Sequence, residues 1–334
     1  MSTTPTAARL LNDPRDAPFV SLMLQCGVMA IAGVGLFFVQ SQFWPLAALY
    51  LIVWAAWVLD RFILMLHCTS HRPLFKAKLR WLNLLIPWVI GPFFGQTPES
   101  YFVHHMGMHH REGNLPNDTS STVIHQRDRF VDWLSYFSRF MLRGLVDLGV
   151  YHAQRNNTKL LRRLLLGELS FLLGVAALFW LNWRATLVVF VLPVLLVRTL
   201  MMIGNWGQHA FVCQAEPDNP YRNSITCINT RYNRRCFNDG YHIHHHVHAR
   251  CHWSEYPAEF EDNKAEYGRQ DAIIFDGLDF FQVWLLLMLG RWQRLAKAFV
   301  QLPGAKLRSE AEVIEFLKSR VVRFPEARLQ TLGA

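Results

Sequence analysis

Four long apolar stretches constrain this chain more than any other feature, because about 20 residues without charge suffice to cross a bilayer as a helix. They cover residues 18–39, 43–66, 169–183 and 185–206. The only charges within them are Asp60 and Arg61, near the end of the second stretch, and Arg198 inside the fourth. The pattern predicts an all-α integral membrane protein with four transmembrane helices.

The composition agrees with a membrane protein. Hydrophobic residues make up 51% of the chain and charged residues only 18%, whereas soluble domains carry about 25% charged residues. The formal net charge of +9 suits contact with anionic lipid headgroups. No basic run is interleaved with aromatic residues, so we expect no binding to nucleic acid.

Two further apolar stretches are too short or too broken to predict a span. Residues 81–96 contain Pro87 and Pro92, so a re-entrant or interfacial segment is expected there. Residues 273–290 are expected to lie in the plane of the membrane.

Loop charges predict the orientation of the spans. The links at 40–42 and near Arg184 carry at most one basic residue, whereas the 67–168 loop carries many. Because basic loops stay in the cytoplasm, we expect both termini and this loop to be cytoplasmic, in a bacterial-type inner (cell) membrane. The expected organisation is a cytosolic tail, a membrane domain and a cytosolic helical tail, at 1–17, 18–290 and 291–334. Ser309 and Glu312 form a capping-box pattern that predicts a helix in the last of these.

Thirteen of the fifteen histidines fall into four groups, all at the predicted cytoplasmic face. "HCTSHR" begins at His67, "HHMGMHH" begins at His104, His209 ends the fourth span, and "HIHHHVHARCH" begins at His242. Only two histidines lie apart, and they are expected at the surface: His125 and His152. Random scatter would not produce this clustering, so it indicates a site.

The spacing of the histidines predicts metal ligation. His67 and His71 are four apart and share one helix face, and His105 and His109 repeat this spacing, so each pair can close on one ion from a single helix. Neutral imidazole binds iron, zinc and copper well. Nine positions fit such spacing: His67, His71, His105, His109, His110, His209, His242, His245 and His246. Since four ligands usually complete one zinc site, nine indicate two ions with open positions, which suits redox iron and O2. The Glu-x-x-His pattern of soluble di-iron bundles is not found.

Several polar residues near these positions have two interpretations each. Asn238 either orients a ligand or water at the metal or is a turn residue before Gly240. Asp60 either hydrogen-bonds a histidine of the first group or pairs with Arg61. Another set is expected to hydrogen-bond ligands or to face solvent: His244, His248 and His252. Two cysteines that border ligands are expected to be small buried residues: Cys68 and Cys251.

At these residues the sequence resembles the membrane fatty acid desaturase superfamily. That family has an H-x3-H box after the second span, a second box ending in HH, and a third box N-x-G-Y-H-x-x-H-H, which stands here as "NDGYHIHHH" from Asn238 to His246. His209 matches an additional ligand at the end of the fourth span. The resemblance covers about 45–260 and implies four spans with a cytosolic helical cap that carries the histidine boxes. It also implies two irons, O2 as oxidant, an acyl chain in an apolar tunnel, and no catalytic residues separate from the metal ligands.

The sequence departs from the family pattern in three places. The second box reads H-x3-HH where many members have H-x2-HH, so His104 is an alternative ligand to His105. His244 stands where many members have glutamate. His248 and His252 follow the third box where a proline-rich run is usual. No cytochrome b5-like haem segment is found, so electrons are expected from a separate ferredoxin-type protein and its reductase.

Within the superfamily, the compact chain and its third box are similar to the bacterial branch that includes 1-alkene-forming fatty acid decarboxylases. The expected activity is therefore O2-dependent oxidation of a fatty acid chain, either decarboxylation to a terminal alkene or desaturation. An acyl-lipid or acyl-CoA desaturase or a hydroxylase is an alternative. A histidine-rich metal transporter is an alternative of another class, but transporters place their ligands inside the spans, and here the histidines lie outside them.

Overall fold

The computed structural model describes residues 9–333, and these residues are mostly helical. Four helices in this part of the chain are long and apolar enough to cross a membrane: Pro14–Phe38, Phe43–His71, Thr158–Leu181 and Trp183–Gln208. The prediction of four helices that could span a membrane is therefore confirmed. The third helix begins well before residue 169, at Thr158, where the side chain of Asn157 caps it by accepting a hydrogen bond from the Leu160 amide.

Two of the spans change helical pitch along their length. A π-helical segment, Ala55–Leu59, interrupts the second, and another, Leu187–Val191, interrupts the fourth. The α-helical parts of the four spans are Ala17–Gly35, Phe43–Trp54, Asp60–His71, Thr158–Leu181, Trp183–Thr186 and Leu192–Gln208. Short 3-10 turns flank the first helix at Pro14–Asp16 and Leu36–Phe38. Each π segment shifts the side chains after it around the helix axis.

The described chain divides into two compact units. The first runs up to Met106 and includes Tyr151–Arg198, and the second comprises Gly107–Val150 with the chain from Thr199 onward. The division into a tail, a membrane domain and a second tail that the sequence indicated stays a prediction.

In the first unit, the proline-containing stretch after the second span is an irregular helix. It consists of a 3-10 helix at Ala77–Leu84, a π segment at Leu85–Ile90 and a 3-10 turn at Gly91–Phe94. The turn ends at Gly95, which has a φ of +68°. A Cβ at this position would lie 2.2 Å from the carbonyl oxygen of Pro193, so only glycine fits. Its location relative to a bilayer stays a prediction.

The chain before the first span packs back onto the segment that follows the first histidine box. Leu11 forms an antiparallel bridge with Phe75. The guanidinium of Arg72, which directly follows His71, lies 2.9 Å from a carboxylate oxygen of Asp13. These contacts fix the end of the helix that carries the first box.

The second unit contains helices and one small sheet. Its helical segments are His110–Glu112, Phe130–Gln154, Pro220–Asn223, Arg231–Arg235, His242–Val247, Tyr256–Arg269, Phe280–Met288, Trp292–Ala298, Glu310–Arg320 and Glu326–Gly333. The last residues of Phe130–Gln154 belong to the first unit. Strand β1, Ile225–Ile228, pairs in parallel with β2, Ile273–Asp276, and Ile225 lies opposite Ile273. The all-α prediction holds for most of the described chain but missed this pair, since four residues are too few to show an alternating pattern.

The core of the second unit lies around this sheet. Phe211 and Phe275 pack at a centroid distance of 5.7 Å, and Trp206 is fully buried. Val313, on the predicted C-terminal helix, joins the same core. The capping box of that helix is confirmed, because Ser309 accepts from the Glu312 amide while the Glu312 side chain accepts from Ser309.

Arg127 connects three separate segments of the second unit. Its side chain is fully buried, and its guanidinium donates to backbone carbonyls at 2.9–3.3 Å: those of Thr122, His125, Ala210, Arg320 and Val322. Burial lowers the pKa of Arg127 to about 9, so the group stays protonated at neutral pH. The loop after the second box, the residue after His209 and the C-terminal helix are thus held by one side chain.

We expect Arg127→Met to lower the free energy of unfolding by about 3 kcal/mol or more, because several buried carbonyls lose their donor. Thermal unfolding of the detergent-purified protein measures the effect. The matched control is Arg129→Met, whose side chain is 70% exposed and should change stability by less than about 0.5 kcal/mol. Equal melting temperatures for the two variants would contradict this role of Arg127.

Candidate metal centre

In the first unit, three histidines of the first two boxes lie together. His67 and His71 occupy one face of the helix Asp60–His71, and their ring centroids are 5.3 Å apart. The ring of His105 lies 4.6 Å from that of His67 and 5.0 Å from that of His71. One nitrogen from each ring lies within 4.8 Å of the others, and Nε2 of His71 is 2.9 Å from Nε2 of His105.

In the second unit, His109, His209 and His246 form a second group in which one nitrogen from each ring lies within 4.8 Å of the others. Their centroids are 5.1–5.5 Å apart. His242 lies against this group, with its Nε2 3.0 Å from Nε2 of His246 and 3.4 Å from Nε2 of His209.

The remaining two predicted ligands also pair within the second unit. Nε2 of His110 lies 3.0 Å from Nε2 of His245, and the His110 centroid is 5.0 Å from that of His246. Each of the nine histidines singled out by spacing therefore contacts another of the nine.

The grouping differs from the one that spacing suggested. His105 and His109 were expected to close on one ion, but His105 groups with His67 and His71, and His109 groups with His209 and His246. The segment His105–His109 is π-helical, so four residues span less than one turn and the two rings diverge. His105, rather than the alternative His104, supplies the ring nitrogen beside His71.

Two buried hydrogen bonds fix which ring nitrogens of the second group carry protons. Nδ1 of His209 lies 3.0 Å from the carbonyl oxygen of Asn223, which only accepts, so this Nδ1 carries the hydrogen. Nδ1 of His109 lies 2.7 Å from the carboxylate of Asp118 and donates in the same way. In the neutral rings, Nε2 then presents a lone pair.

Two rings of this group, those of His209 and His246, have lowered pKa values. Burial, with a smaller contribution from nearby His109, lowers the pKa of His209 to about 4. Burial and neighbouring histidines lower that of His246 well below its usual value. At neutral pH both rings are therefore the unprotonated form that ligates metals.

The distances between ring nitrogens fit a shared cation. Two nitrogens bound at about 2.1 Å in perpendicular positions lie about 3.0 Å apart, and the Nε2–Nε2 separations of the described pairs are 2.9–3.4 Å. Where neither nitrogen of a pair carries a hydrogen, the two lone pairs repel at this distance, and a cation between them would remove the repulsion. A donor set of imidazoles fits iron as well as zinc or copper.

Sequence reasoning missed the residues that orient the clustered histidines. Asp118 is 2% exposed, and its second carboxylate oxygen accepts from the amide and hydroxyl of Ser120 at 2.8 and 2.7 Å. The hydroxyl of Tyr256 lies 3.2 Å from Nδ1 of His245. Partners of this kind set the tautomer and direction of a metal ligand. Only the Asp-x-Ser turn pattern at 118–120 offered a local signal for them.

The structure shows the surroundings of three polar residues for which the sequence allowed two roles: Asn238, Asp60 and His244. Asn238 has a φ of +56° and donates to the Trp253 carbonyl, which agrees with a turn residue. The Asp60 carboxylate accepts from the Arg61 amide at 2.8 Å. His244 is buried against Tyr256.

The structure also shows the surroundings of two further histidines and two cysteines: His248, His252, Cys68 and Cys251. His248 is exposed, and Nδ1 of the buried His252 lies 2.7 Å from the Ser254 hydroxyl. Cys68 and Cys251 are of intermediate burial, so the expectation that both are buried was wrong.

The two isolated histidines are not surface residues, so that expectation was wrong. His152 is 1% exposed and His125 is 9% exposed. The ring of His125 packs against Tyr136 and Trp206, and burial lowers its pKa to about 4. A single histidine in a polar stretch carries no sequence signal for burial, which explains the error.

A partly buried ion pair anchors the helix that precedes His105. Glu99 is 6% exposed and has a φ of +67° directly before the helix Ser100–His104. Its carboxylate accepts from Nε of Arg163 at 2.9 Å and from the Trp88 indole at 2.7 Å. These bonds hold a backbone conformation that is otherwise unfavourable for glutamate.

A cavity of about 200 Å³ lies beside this anchor and the first histidine group. Its walls include Leu66, Ser70 and Tyr101, and the Tyr101 ring stacks on that of His105 at 5.1 Å. The lining is largely apolar, so it suits part of a hydrocarbon chain.

A family model described as "Fatty acid desaturase" matches residues 27–277. No curated protein and no solved structure matches the chain. All nine histidines and their partners Asp118, Asn223 and Tyr256 lie in the matched segment.

We expect Asp118→Asn to weaken metal binding by about 10- to 100-fold, because the neutral amide no longer raises the basicity of His109. Iron retention against a chelator, measured by elemental analysis, reports the change. The matched control is Asp218→Asn, at an exposed aspartate. If both variants retain iron equally, Asp118 does not support a metal ligand.

Proposed function

Because the chain belongs to the fatty acid desaturase family, we propose that its nine clustered histidines bind two irons with which the enzyme oxidises a fatty acid chain, using O2 as oxidant. Family membership makes the protein a membrane oxidoreductase of fatty acid metabolism. The observation that carries the proposal is the convergence of ring nitrogens in the group around His209, whose own Nε2 presents a lone pair because its Nδ1 donates to Asn223. Iron bound among these nitrogens would satisfy that lone pair.

The described residues hold and orient the metals. Asp118 and Asn223 fix the Nδ1 protons of His109 and His209, so that Nε2 faces the ion. Both rings are almost fully buried, which limits access of water, and burial lowers the pKa of His209 to about 4. Bound iron supplies the redox chemistry that removes hydrogen from an unactivated C–H bond.

We further propose that the reaction is oxidative decarboxylation of a free fatty acid to a terminal alkene. The acid loses a hydrogen from its β-carbon and its carboxyl group as CO2, so it gives up two electrons and two protons. O2 takes up four electrons and four protons to form two waters, and a ferredoxin-type donor with its reductase supplies the other two electrons. The support is the resemblance of the third box, with His244 in place of the usual glutamate, to the alkene-forming branch.

Desaturation is the second candidate, and the name of the matched family favours it. The electron balance is the same, but an internal double bond forms and the carboxyl group is retained. Hydroxylation would instead insert one oxygen atom of O2. Location in an inner cell membrane, with the histidine site and both termini in the cytoplasm, is proposed from the distribution of basic loops.

We expect His67→Ala, His109→Ala, His209→Ala and His245→Ala each to abolish activity and to lower the iron content below two per chain, because each removes one ligand. Membrane insertion should be unchanged. The control is His248→Ala, at an exposed histidine beside the third box, which should keep its iron and most of its activity. Wild-type turnover in any of the four variants would remove that residue from the ligand set.

Product analysis separates the candidate reactions. Purified protein receives a medium-chain fatty acid, reductant, a ferredoxin-type donor and O2, and headspace and lipid extract are analysed by mass. Terminal alkene with CO2 is the expected outcome. An internal alkene with the carboxyl retained would indicate a desaturase, and an alcohol a hydroxylase. Reversible exchange of zinc or copper without O2 uptake would support a metal transporter instead.

A further inference from the structure

One helix of the second unit is apolar on both its buried and its exposed sides. In Phe280–Met288, the buried side joins the core of this unit through residues that include Val283 and Leu287. The exposed side carries Phe281 and Leu285, and Leu289 directly follows the helix. These three residues are 48%, 38% and 59% exposed and are spaced four apart, so they form one stripe. Such a stripe is unfavourable in water and favourable at a bilayer.

Three cations follow this stripe directly. Arg291, Arg294 and Lys297 are exposed, and their side chains form no ion pair with the described carboxylates. The sequence contains no acidic residue between Asp279 and Glu310. The positive charge is therefore not neutralised locally and is open to an external anion.

The helix Trp292–Ala298 presents two of these cations on one side. Arg294 and Lys297 are three apart and share a face, whereas Leu295 and Ala296 are buried in the core. Gly290, with a φ of +62°, makes the turn that connects the two helices. The stripe and the three cations therefore belong to one short hairpin, which we call the basic–apolar surface: Phe281, Leu285, Leu289, Arg291, Arg294 and Lys297.

We propose that the basic–apolar surface binds anionic phospholipids, with its stripe against the acyl region and its cations on the headgroup phosphates. An amphipathic helix with cations beside its apolar face binds membranes by apolar burial and by attraction to anionic lipid. The four spans already hold the chain in a bilayer, so this ligand is always present at high local concentration. An acidic protein partner would satisfy the cations but leaves the apolar stripe without a function, so the lipid is favoured.

The test measures lipid binding directly and does not depend on the proposed reaction. Detergent-purified protein is titrated with dioleoylphosphatidylglycerol or dioleoylphosphatidylcholine, and lipid adducts are quantified by native mass spectrometry. We expect the wild type to bind the anionic lipid at least about five-fold more tightly, the factor contributed by one cation near a charged surface. Because exposed charges are screened by salt, the preference should fall as the ionic strength of the titration is raised.

Charge variants locate the binding surface. The triple variant R291Q/R294Q/K297Q should lose most of the preference. The matched control, R231Q/R234Q/R250Q, removes the same charge from three exposed arginines outside the basic–apolar surface and should keep it. Undiminished selectivity in the first triple variant, or equal losses in both, would overturn the proposal.

A variant of the apolar stripe and an assay of reduction by a protein electron donor complete the test. Leu289→Gln should weaken binding of both lipids while leaving the melting temperature unchanged, since this side chain is exposed. Unchanged lipid binding in Leu289→Gln would overturn the role of the stripe. If R291Q/R294Q/K297Q keeps its lipid selectivity but is no longer reduced by a ferredoxin-type donor, the surface serves a protein and the lipid proposal is wrong.

Discussion

The structure of the site depends on imidazoles whose Nδ1–H groups are bound to buried acceptors. The carbonyl of Asn223 and the carboxylate of Asp118 each fix one ring, and burial holds the pKa of His209 well below its usual value. The lone pairs of Nε2 are consequently directed into the cluster. A histidine group built in this way would be better stabilised around a cation than alone, so metal binding would be linked to local folding.

The four spans and the nine clustered histidines could be predicted from the sequence, because apolar length and histidine spacing are local signals. The parallel pairing of Ile225–Ile228 with Ile273–Asp276 could not, since it depends on a contact between segments far apart in the chain. The same reason applies to Asn223, which reaches His209 only in the folded unit. The early start of the third span at Thr158 was missed because basic residues in its first turns resemble a loop.

The π-helical segment His105–His109 shows how local geometry changes the meaning of a spacing rule. On an α-helix, residues four apart share a face, and the H-x3-H pattern then predicts one ion. With a wider turn, His105 faces the group of His67 and His71, while His109 faces the group of His209. One short segment therefore contributes a histidine to each of two clusters. This arrangement agrees with the proposal of two metals, whereas on a regular helix both rings would share one face.

Arg127 has a practical consequence for anyone who engineers the chain. Its guanidinium reaches the carbonyls of Arg320 and Val322, and the same C-terminal helix end accepts from the Val212 amide, three residues after His209. The C-terminus is thus part of the scaffold under the histidines, despite its distance in sequence. Truncations that end before residue 320 would remove these acceptors, whereas a fusion partner appended after the last helix would leave them in place.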